Sequence, residues 1–427
     1  MKLRDDWQFR GLVHQVTDDA VLDRLTAGGV TAYIGFDPTA SSLHLGSLLQ
    51  ICLLRRLQMA GNRPIALCGG GTGLIGDPSF KDAERPLLSL EQLSANIEGI
   101  RDQLGRFLDF SPDAGGSRAL LLNNAEWLTT ISLTDFLRDV GKHFSVNQMI
   151  AKESVKSRLD RDDVGLSFTE FSYILLQGYD FLRLHLDHDC TLQLGGSDQW
   201  GNITMGAELV RKVTTNSVSG LTSPLLLRPD GQKFGKSEGG NERVWLDATM
   251  TSPFALHQFL LNTDDEMTPT LLRFFTFLDH DVIRELDDAT HTSPHERRAQ
   301  RALANAVVSF VHGEEAARSA ERAGEALFSE EISGLDEATL LQVVEDAPSS
   351  TIARSELGEG IDPVELLVRC ELATSKAEAR RYIEQGGVYV NNRRVESDES
   401  INLAHVLHDR YLVLRRGRRQ LHLVVVA

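Results

Sequence analysis

Between residues 31 and 220 the sequence alternates short apolar runs, each ending in a polar or glycine-rich turn, with longer stretches of helical period. This alternation is typical of a mostly parallel sheet covered by helices, so we predict an α/β fold with a Rossmann-like sheet. The predicted strands cover residues 31–36, 64–68, 119–123 and 190–194. Ligands of open α/β sheets bind at the turns that follow the strands, so each of these four turns is a candidate site.

The length of 427 residues indicates more than one folding unit, since an ordinary domain has about 150 residues. Ser-Pro or Thr-Pro pairs beginning at Ser252, Thr268 and Ser293 predict helix starts, within a bundle of about five helices. Residues 313–362 then hold thirteen acidic and three basic side chains, which favours a solvated segment. The predicted domains are an α/β catalytic domain at 1–246 with an inserted connective region, an α-helical domain at 247–330, an acidic linker at 331–360 and a small α+β domain at 361–427.

Charge and cysteine content limit the partners that we expect. A net charge of -17 argues against a surface that coats DNA or an anionic membrane, although residues 361–427 carry eleven basic and nine acidic side chains. The four cysteines are far apart, which predicts reduced thiols without a disulfide framework or a thiolate zinc site. The N-terminus lacks an apolar signal segment and no apolar run is long enough to span a membrane, so we expect a cytoplasmic protein.

The turn after the first predicted strand leads through His44, Gly46 and Ser47 into an amphipathic run. His44 and Ser47 are three residues apart and share one face of a first helical turn, where the helix dipole favours anions. Gly46 between them has no side chain and lets a base or ribose approach the backbone. These residues predict a phosphate site; a capped helix start with an incidental histidine is the alternative.

The second turn, residues 69–78, contains G-x-G-x-x-G after a strand, which makes a dinucleotide-binding oxidoreductase a rival hypothesis. That fingerprint needs a helix that starts inside the glycines, whereas Pro78 and a polar stretch follow here. Asp77 at the end of the turn is better interpreted as an acceptor for an ammonium group, with a capping role as the alternative.

The third element is a predicted helix that opens with the capping box Ser167 to Glu170. Tyr173, Gln177 and Asp180 then lie on one face of this helix, among apolar neighbours, and therefore need polar partners. A polar ligand or a buried structural network would satisfy them. The fourth turn holds Gly196, Asp198 and Gln199, and the latter two suit hydroxyl and carboxylate groups respectively.

The segment at residues 231–237 ends in G-K-S but has one residue too few between its glycines for a P-loop, and no helical pattern follows. A P-loop NTPase is therefore a weaker hypothesis. Lys233 and Lys236 instead predict a cationic clamp for a departing pyrophosphate.

HLGS at residues 44–47 and KFGKS at residues 233–237 together resemble the two signatures of class I aminoacyl-tRNA synthetases. The stretches YIGFDPTASSLHLG, GLIGDPS, FSVNQMIAKESV, SFTEFSYILLQGYDFLRL and LQLGGSDQWGN are similar to the bacterial tyrosyl-tRNA synthetase family, over essentially the whole chain. The last segment resembles an RNA-binding module that this family shares with a ribosomal small-subunit protein. Ser47 departs from the family pattern, which has a second histidine there.

The resemblance implies that tyrosine reacts with Mg-ATP to give tyrosyl-adenylate and pyrophosphate, and then passes to tRNA(Tyr). It implies a tyrosine site of Tyr33 and Asp180 for the phenol, Tyr173, Gln177 and Asp77 for the ammonium group with Asn124 in the surrounding network, and Gln199 for the carboxylate. The ATP site it implies consists of Asp37, His44, Gly46, Ser47, Gly196, Asp198 and Lys236. The implied catalytic residues are Thr39, His44, Ser47, Lys81, Arg85, Lys233 and Lys236. The implied tRNA-binding residues are Arg380, Arg381, Arg393 and Arg394.

The resemblance also implies L-tyrosine, ATP and tRNA(Tyr) as partners, a homodimer, and Mg²⁺ only as a companion of ATP, with no resident metal or cofactor. In the helical domain it implies anticodon binding. Two alternatives stay open at this point: a sister enzyme for tryptophan, and a catalytically silent RNA-binding protein of the same fold. The pairing of Tyr33 with Asp180 favours a hydroxyl-bearing substrate, and His44, Lys233 and Lys236 favour catalysis.

Overall fold

The computed structural model describes residues 2–76, 89–150, 167–227, 234–235, 243–326, 330–345, 347–396, 399–417 and 420–427. The chain folds into two compact units. The first comprises residues 1–251 and 263–303, and the second comprises residues 252–262 and 304–427. No helix among the described residues is long and apolar enough to cross a membrane.

The first unit is a sheet with helices around it. Its strands are β1 (Gln15–Val16), β2 (Thr31–Phe36), β3 (Arg63–Cys68), β4 (Leu120–Asn123), β5 (Leu192–Gly196) and β6 (Ser219–Ser223). The helices up to β6 are α1 (Leu3–Arg10), α2 (Val21–Ala27), α3 (Leu45–Met59), α4 (Leu90–Phe107), α5 (Ala125–Leu128), α6 (Leu133–Asp139), α7 (Val146–Ile150), α8 (Phe168–His188) and α9 (Trp200–Thr214).

The six strands are arranged in the order β1-β6-β5-β2-β3-β4. All neighbours are parallel except β1, which pairs antiparallel with β6. Strands β2 and β3 are almost continuously buried, as expected for parallel strands with both faces covered. The predicted α/β fold is confirmed, and the four predicted strands agree with β2, β3, β4 and β5 to within two residues at each end.

The central core places the phenol-bearing side chain of Tyr33 among apolar residues of β3 and α8. Tyr33, Ile65, Leu67 and Phe181 belong to one buried cluster, and the rings of Tyr33 and Phe181 meet edge to face at 5.3 Å. This packing fixes the direction of the Tyr33 side chain, because buried aromatic rings have few alternative rotamers in a close-packed interior.

The helical region after β6 contains α10 (Pro253–Leu261), α11 (Thr268–Phe275), α12 (His280–Thr292), α13 (Arg298–His312) and α14 (Glu314–Ala326). The expectation of about five helices is therefore met within the described part of residues 247–330. The two units divide this region, however, so it is not one separate domain. The Ser252 side chain caps α10 as predicted. Thr268 is instead the first residue of α11, with Met267 as the N-cap, and the Ser293 side chain makes no capping hydrogen bond.

The second unit contains a five-stranded sheet in the order β7-β11-β10-β8-β9. Its further elements are α15 (Glu337–Val343), β7 (Ser349–Ile352), α16 (Arg354–Glu359), α17 (Pro363–Arg369), α18 (Lys376–Glu384), β8 (Val388–Val390), β9 (Arg393–Arg394), β10 (Tyr411–Arg416) and β11 (Gln420–Val426). The α+β character predicted for the C-terminal part is confirmed, although its sheet begins with β7 at Ser349, before the predicted boundary at residue 361. Its turn between β8 and β9 has φ values of 47° at Asn391 and 63° at Asn392, which asparagine tolerates.

The predicted acidic linker at residues 331–360 is wrong where the structure describes it. This segment supplies α15, α16 and strand β7, which pairs in parallel with β11. Leu340 and Leu357 are 0% exposed. Each short element contributes only one to three buried side chains within an acidic background, so the composition indicated solvation although the apolar positions were present.

Candidate active site

The loops that carry the predicted site residues meet along one edge of the first sheet. Strand β2 has β3 on one side and β5 on the other, so the connections leave β2 in opposite directions. In a parallel sheet this change of direction opens a crevice at the carboxyl ends of the strands. The turns after β2, β3, β4 and β5 all lie at that end, and they contain His44, residues 69–76, Asn124 and Asp198 respectively.

The turn after β2 forms the start of α3. His44 is the extended residue before the helix, and the backbone N–H of Ser47 donates to the His44 carbonyl at 2.7 Å. The N–H of Thr39 donates to the Asp37 carbonyl at 2.9 Å. Thr39 is exposed and His44 and Ser47 are half-buried, so a ligand can reach all three. A helix N-terminus with these donors favours an anionic group.

Helix α4 supports this turn from behind. Gln103, which is 2% exposed, accepts the Leu43 N–H at 2.8 Å and donates to Ser42 Oγ at 2.8 Å. Asn96 donates to the Pro38 carbonyl at 3.0 Å. Three contacts from one helix therefore hold the backbone that precedes His44.

The two signature segments meet in the structure. A Cβ on Gly235 would lie 3.2 Å from the backbone nitrogen of Gly46, and Gly235 has φ of +98°. The N–H of Phe234 donates to the Leu226 carbonyl at 3.0 Å, which ties the same segment to the residues after β6. Residues 234–235, the described part of KFGKS, thus contact the HLGS turn across about 190 positions of sequence.

Asp180 and Tyr33 are both buried polar residues, and the charge of Asp180 acts on the Tyr33 phenol. One Asp180 oxygen accepts Trp127 Nε1 at 2.7 Å, and the other accepts Asn124 Nδ2 at 2.9 Å. Since an ionised carboxylate has room for about four hydrogen bonds, Asp180 retains acceptor capacity. The Tyr33 hydroxyl is buried and has no hydrogen-bond partner within the described residues. A phenol hydroxyl could therefore accept from Tyr33 while it donates to Asp180.

Burial shifts the protonation of both groups. It raises the pKa of Asp180 to about 7, although the hydrogen bonds from Asn124 and Trp127 oppose this shift. Burial, with the nearby Asp180 charge, also raises the pKa of Tyr33 well above 10. Tyr33 is thus a hydrogen-bond donor at neutral pH, while Asp180 titrates in the neutral range.

A cluster of amides links α8 to the turn after β5. Asn202 on α9 donates to Gln177 Oε1 at 2.9 Å and to Gln199 Oε1 at 3.2 Å, and Gln177 donates to Gln199 Oε1 at 3.3 Å. Tyr173 lies one turn before Gln177 on α8 and is 5% exposed. The predicted stripe of Tyr173, Gln177 and Asp180 is therefore present on one helix, with Asn202 joining it to Gln199.

The glycine-rich turn after β3 is packed against polar side chains. A Cβ on Gly69 would lie 2.9 Å from an Asp37 oxygen, and a Cβ on Gly70 would lie 2.2 Å from the Asn123 oxygen. Gly71 N–H donates to Asn124 Oδ1 at 2.7 Å, so Asn124 joins this turn to Asp180. In the described part of this turn a short 3-10 helix follows, which does not match a dinucleotide fingerprint.

Asp198 and Gly196 also lie together after β5, since a Cβ on Gly196 would be 2.6 Å from an Asp198 oxygen. Five predicted residues lie outside the described residues: Asp77, Lys81, Arg85, Lys233 and Lys236. The four cysteines are buried free thiols. No cluster of three or more His, Cys, Asp or Glu side chains suited to a metal ion occurs in the parts of the chain that the structure describes.

The predicted tRNA-binding arginines lie in the second unit, and all four are exposed. Arg380 and Arg381 are on α18, and Arg393 and Arg394 form β9. Arg394 passes close to Gly386, because a Cβ there would be 2.3 Å from the guanidinium carbon. Arg381 also faces the Tyr382 ring at 5.4 Å.

Three residues of the site were missed by the sequence analysis: Trp127, Asn202 and Gln103. Each acts as a hydrogen-bond partner of a predicted residue or turn and comes from a helix distant in sequence. For Gln103 and Asn202, a polar position within an amphipathic helix was the available signal. For Trp127 the signal was an indole N–H, which needs an acceptor when buried.

The ATP site that the motifs imply predicts that Gly46→Ala lowers kcat/KM for ATP roughly 10- to 100-fold without unfolding the protein. The new Cβ would lie 2.8 Å from His44 Cε1, so the imidazole must move, whereas no backbone atom is as close. Steady-state kinetics with a circular dichroism spectrum checks this. Gly105→Ala, where a Cβ meets nothing within 4 Å, is the matched control; equal activity of both variants would contradict the placement of His44 at the ATP site.

This arrangement of a parallel α/β sheet with two signature segments in contact agrees with the comparison to known families. The family model of class I tRNA synthetases (W and Y) matches residues 26–329, and the model of the SYY-like C-terminal domain of tyrosine–tRNA ligases matches residues 339–424. The chain belongs to the class I tRNA synthetases of the tryptophan and tyrosine group. This membership replaces the oxidoreductase and P-loop hypotheses.

Within that group, the chain is similar to bacterial tyrosine–tRNA ligases over its full length. It is 50% identical to the enzyme of Roseiflexus castenholzii over 422 residues, which cover 98% of each chain. It is 49% identical to the Bacillus caldotenax enzyme over 427 residues, covering 99% of each. A crystal structure of a C-terminally truncated mitochondrial tyrosyl-tRNA synthetase from Aspergillus nidulans has a TM-score of 0.68 at 31% identity, and covers 77% of this chain and 94% of that one.

Proposed function

We propose that this chain is a tyrosine–tRNA ligase that converts L-tyrosine and ATP to tyrosyl-adenylate and pyrophosphate, and then transfers tyrosine to the 3′ end of tRNA(Tyr). The observation that carries the choice of amino acid is the buried pair of Tyr33 and Asp180. An unpartnered phenol donor beside a carboxylate suits a hydroxyl that accepts one hydrogen bond and donates another. The indole of tryptophan has no acceptor, so it would leave Tyr33 unsatisfied.

The adenylation step needs positioning and charge stabilisation more than proton transfer. A carboxylate oxygen of tyrosine attacks the α-phosphorus of Mg-ATP, and the bond to the pyrophosphate oxygen breaks. The carboxylate is already ionised, so no general base is required. His44 and Ser47 lie at the start of α3 and Thr39 lies in the turn before it, where their donors would meet the charge that develops on the phosphates. Ser47 is a shorter donor than the histidine of the family pattern.

The remaining roles follow the resemblance of the motifs. Tyr173, Gln177 and Asp77 would hold the ammonium group, and Gln199 would face the substrate carboxylate. Asp37, Gly46, Gly196 and Asp198 would surround ATP. Lys81, Arg85, Lys233 and Lys236 would neutralise the departing pyrophosphate; the contact of Gly235 with Gly46 supports this, since both flanking lysines are within two residues of it in sequence. Mg²⁺ enters with ATP as part of the substrate.

The test of this function is exchange of labelled pyrophosphate into ATP. Purified protein should catalyse exchange in the presence of tyrosine and not with tryptophan, and it should charge tRNA(Tyr) at the terminal ribose. Tryptophan-dependent exchange would favour the sister enzyme. Folded protein that binds tRNA but gives no exchange with either amino acid would favour the catalytically silent alternative.

The second unit is proposed to bind tRNA through its exposed arginines. The double variant Arg393→Ala/Arg394→Ala should raise the KM for tRNA roughly 10-fold and reduce the salt slope of binding by about 2, while exchange is unchanged, because phosphate contacts contribute through counterion release. Arg369→Ala is the control, since Arg369 is an arginine of the same unit already paired with Glu356 at 2.6 Å. Equal tRNA affinity of the double variant and the control would contradict this surface.

A homodimer in the cytoplasm is the proposed state of the enzyme. Large apolar side chains are exposed along one stretch of the first unit, from α6 to the start of α8: Leu133, Leu137, Val146, Ile150 and Phe168. Phe168 alone is 79% exposed, and such exposure on several described helices is typical of a surface that a second subunit covers. Sedimentation equilibrium should give twice the chain mass of 47.3 kDa.

A further inference from the structure

Residues 244–246, which we call the clasp, hydrogen-bond to both signature segments. The N–H of Val244 donates to the Gly235 carbonyl at 3.0 Å, and the Val244 carbonyl accepts the N–H of Leu45 at 2.8 Å. The clasp is also paired antiparallel with the HLGS turn, through a bridge between His44 and Trp245. The described part of KFGKS and the start of α3 are therefore joined through one short piece of extended chain.

The side chain of the central clasp residue lies against His44. The Trp245 indole and the His44 imidazole meet edge to face, with centroids 6.2 Å apart and an angle of 69° between the rings. Gly46 lies beside the same imidazole, since a Cβ on Gly46 would be 2.8 Å from His44 Cε1. The Arg243 guanidinium lies 5.7 Å from the Trp245 ring centroid. The His44 imidazole therefore contacts the Trp245 ring and lies beside Gly46, whose lack of a side chain leaves space for it.

An edge-to-face contact restricts an imidazole more than an aliphatic neighbour would. The face of an aromatic ring is electron-rich and its edge is electron-poor, so two rings prefer a limited set of mutual orientations. Catalysis by a positioned donor depends on that orientation, because the donor must point at the atom on which charge develops. Trp245 is attached to the clasp, so the orientation that it imposes depends on the same segment that contacts Gly235.

We propose that Trp245 is a positioning residue for adenylation: its indole holds the His44 imidazole in the orientation that meets the phosphates of ATP, and the clasp links this orientation to Gly235. This inference rests on the proposed role of His44. Trp245 itself need not touch ATP. Its removal should therefore lower the rate of the chemical step and leave the binding of tyrosine unchanged, since the Tyr33 and Asp180 pocket is formed by β2 and α8.

A double-mutant cycle tests this with Trp245→Leu, His44→Ala and the combination, measured by tyrosine-dependent pyrophosphate exchange. Trp245→Leu should lower kcat about 5- to 10-fold, with the KM for tyrosine changed less than about twofold. Trp245→Phe retains an aromatic ring and should stay within about threefold of the unmodified protein. In the His44→Ala background, Trp245→Leu should cost less than about twofold, because the residue through which it acts is already absent.

An equal loss from Trp245→Leu in both backgrounds would overturn the inference and leave only a structural role. Full activity of His44→Ala would reject the role of His44 and the inference with it, whereas absence of any exchange in the unmodified protein would reject the proposed function. The cycle is repeated with Trp245→Met, whose flexible side chain refills the space, and circular dichroism establishes which variants are folded. If either Trp245→Leu or Trp245→Met fails to fold, the other variant still tests the inference.

Discussion

Asp180→Asn is expected to lower the preference for tyrosine over phenylalanine by roughly 30-fold, since a hydrogen bond to a buried charged group contributes about 2 kcal/mol. The carboxylate accepts from Trp127 and Asn124 on both of its oxygens and has capacity left for the substrate hydroxyl. An asparagine keeps one oxygen and presents an N–H₂ donor in place of the other. The ratio of kcat/KM for tyrosine and phenylalanine in pyrophosphate exchange measures the effect.

The matched control for this variant is Asp187→Asn, seven residues later on α8. Asp187 is 40% exposed and pairs with Arg183 at 2.7 Å, so its replacement removes a carboxylate from the same helix without reaching the crevice. Selectivity should be unchanged in this control. If Asp180→Asn also kept the selectivity of the unmodified protein, the assignment of the phenol pocket would be refuted.

The same carboxylate predicts a pH dependence of tyrosine binding. Because burial raises the pKa of Asp180 to about 7, tyrosine affinity should weaken as the pH falls through that value and the acceptor loses its charge. Folding stability should change with pH in the opposite direction to tyrosine affinity. The folded state favours protonated Asp180 between about pH 4 and pH 7, so the protein loses stability as the pH rises through this range. Isothermal titration with tyrosine should show this dependence in the unmodified protein and a flat profile in Asp180→Asn.

The sequence predicts those parts of the fold and site that are encoded in local patterns. Strands β2 to β5 follow from apolar runs ending in turns, and the stripe of Tyr173, Gln177 and Asp180 follows from helical spacing after a capping box. Such patterns place a side chain on a face of its element. They also order the turns along one edge of the sheet, once the sheet is known to be parallel.

The partners of those side chains were not predictable in the same way. The buried carboxylate of Asp180 needs hydrogen-bond donors. Nothing local in the sequence identifies Trp127, which lies 53 positions away, as one of them. Asn202 and Gln103 likewise contact their partners through tertiary packing. Strand β7 was missed for a related reason: it is a short polar edge segment with Ile352 as its buried residue, and only its pairing with β11 defines it.

Arg10→Met is expected to lower the unfolding free energy of the first unit by about 3 kcal/mol, because it removes the donor to the Leu278 carbonyl and one of the cations that compensate Asp6. Arg10 is 3% exposed and donates to the carbonyls of Thr276 at 3.0 Å and Leu278 at 2.6 Å, beyond the end of α11. It also donates to Asp6 at 2.6 Å, next to the buried Arg56. Methionine fills similar space but donates no hydrogen bond, so the Thr276 carbonyl keeps only Arg56 and Asp6 keeps only His280 and Arg56.

For a unit of this size the loss corresponds to a fall in unfolding temperature of about 5 °C. Differential scanning calorimetry, with the fluorescence of buried Trp7 on α1 as a local probe, measures it. Arg4→Met is the control on the same helix: its pair with Asp23 has side chains that are 39% and 64% exposed, so a much smaller loss of stability is expected. Similar falls in unfolding temperature for the two variants would show that the buried contacts of Arg10 stabilise the protein no more than an exposed ion pair does.

The pH dependence of stability distinguishes the contribution of the Asp6 charge from that of the other contacts of Arg10. Burial alone would raise the pKa of Asp6, but the hydrogen bonds from Arg10 and His280 and the charge of Arg56 bring it below its ordinary value of 3.8. A lowered carboxyl pKa adds stability that is present above the unfolded value and is lost as the pH falls through the folded value. The difference between Arg10→Met and the unmodified protein should therefore be full near neutral pH and shrink below about pH 4, while the part due to the lost hydrogen bond to the Leu278 carbonyl persists.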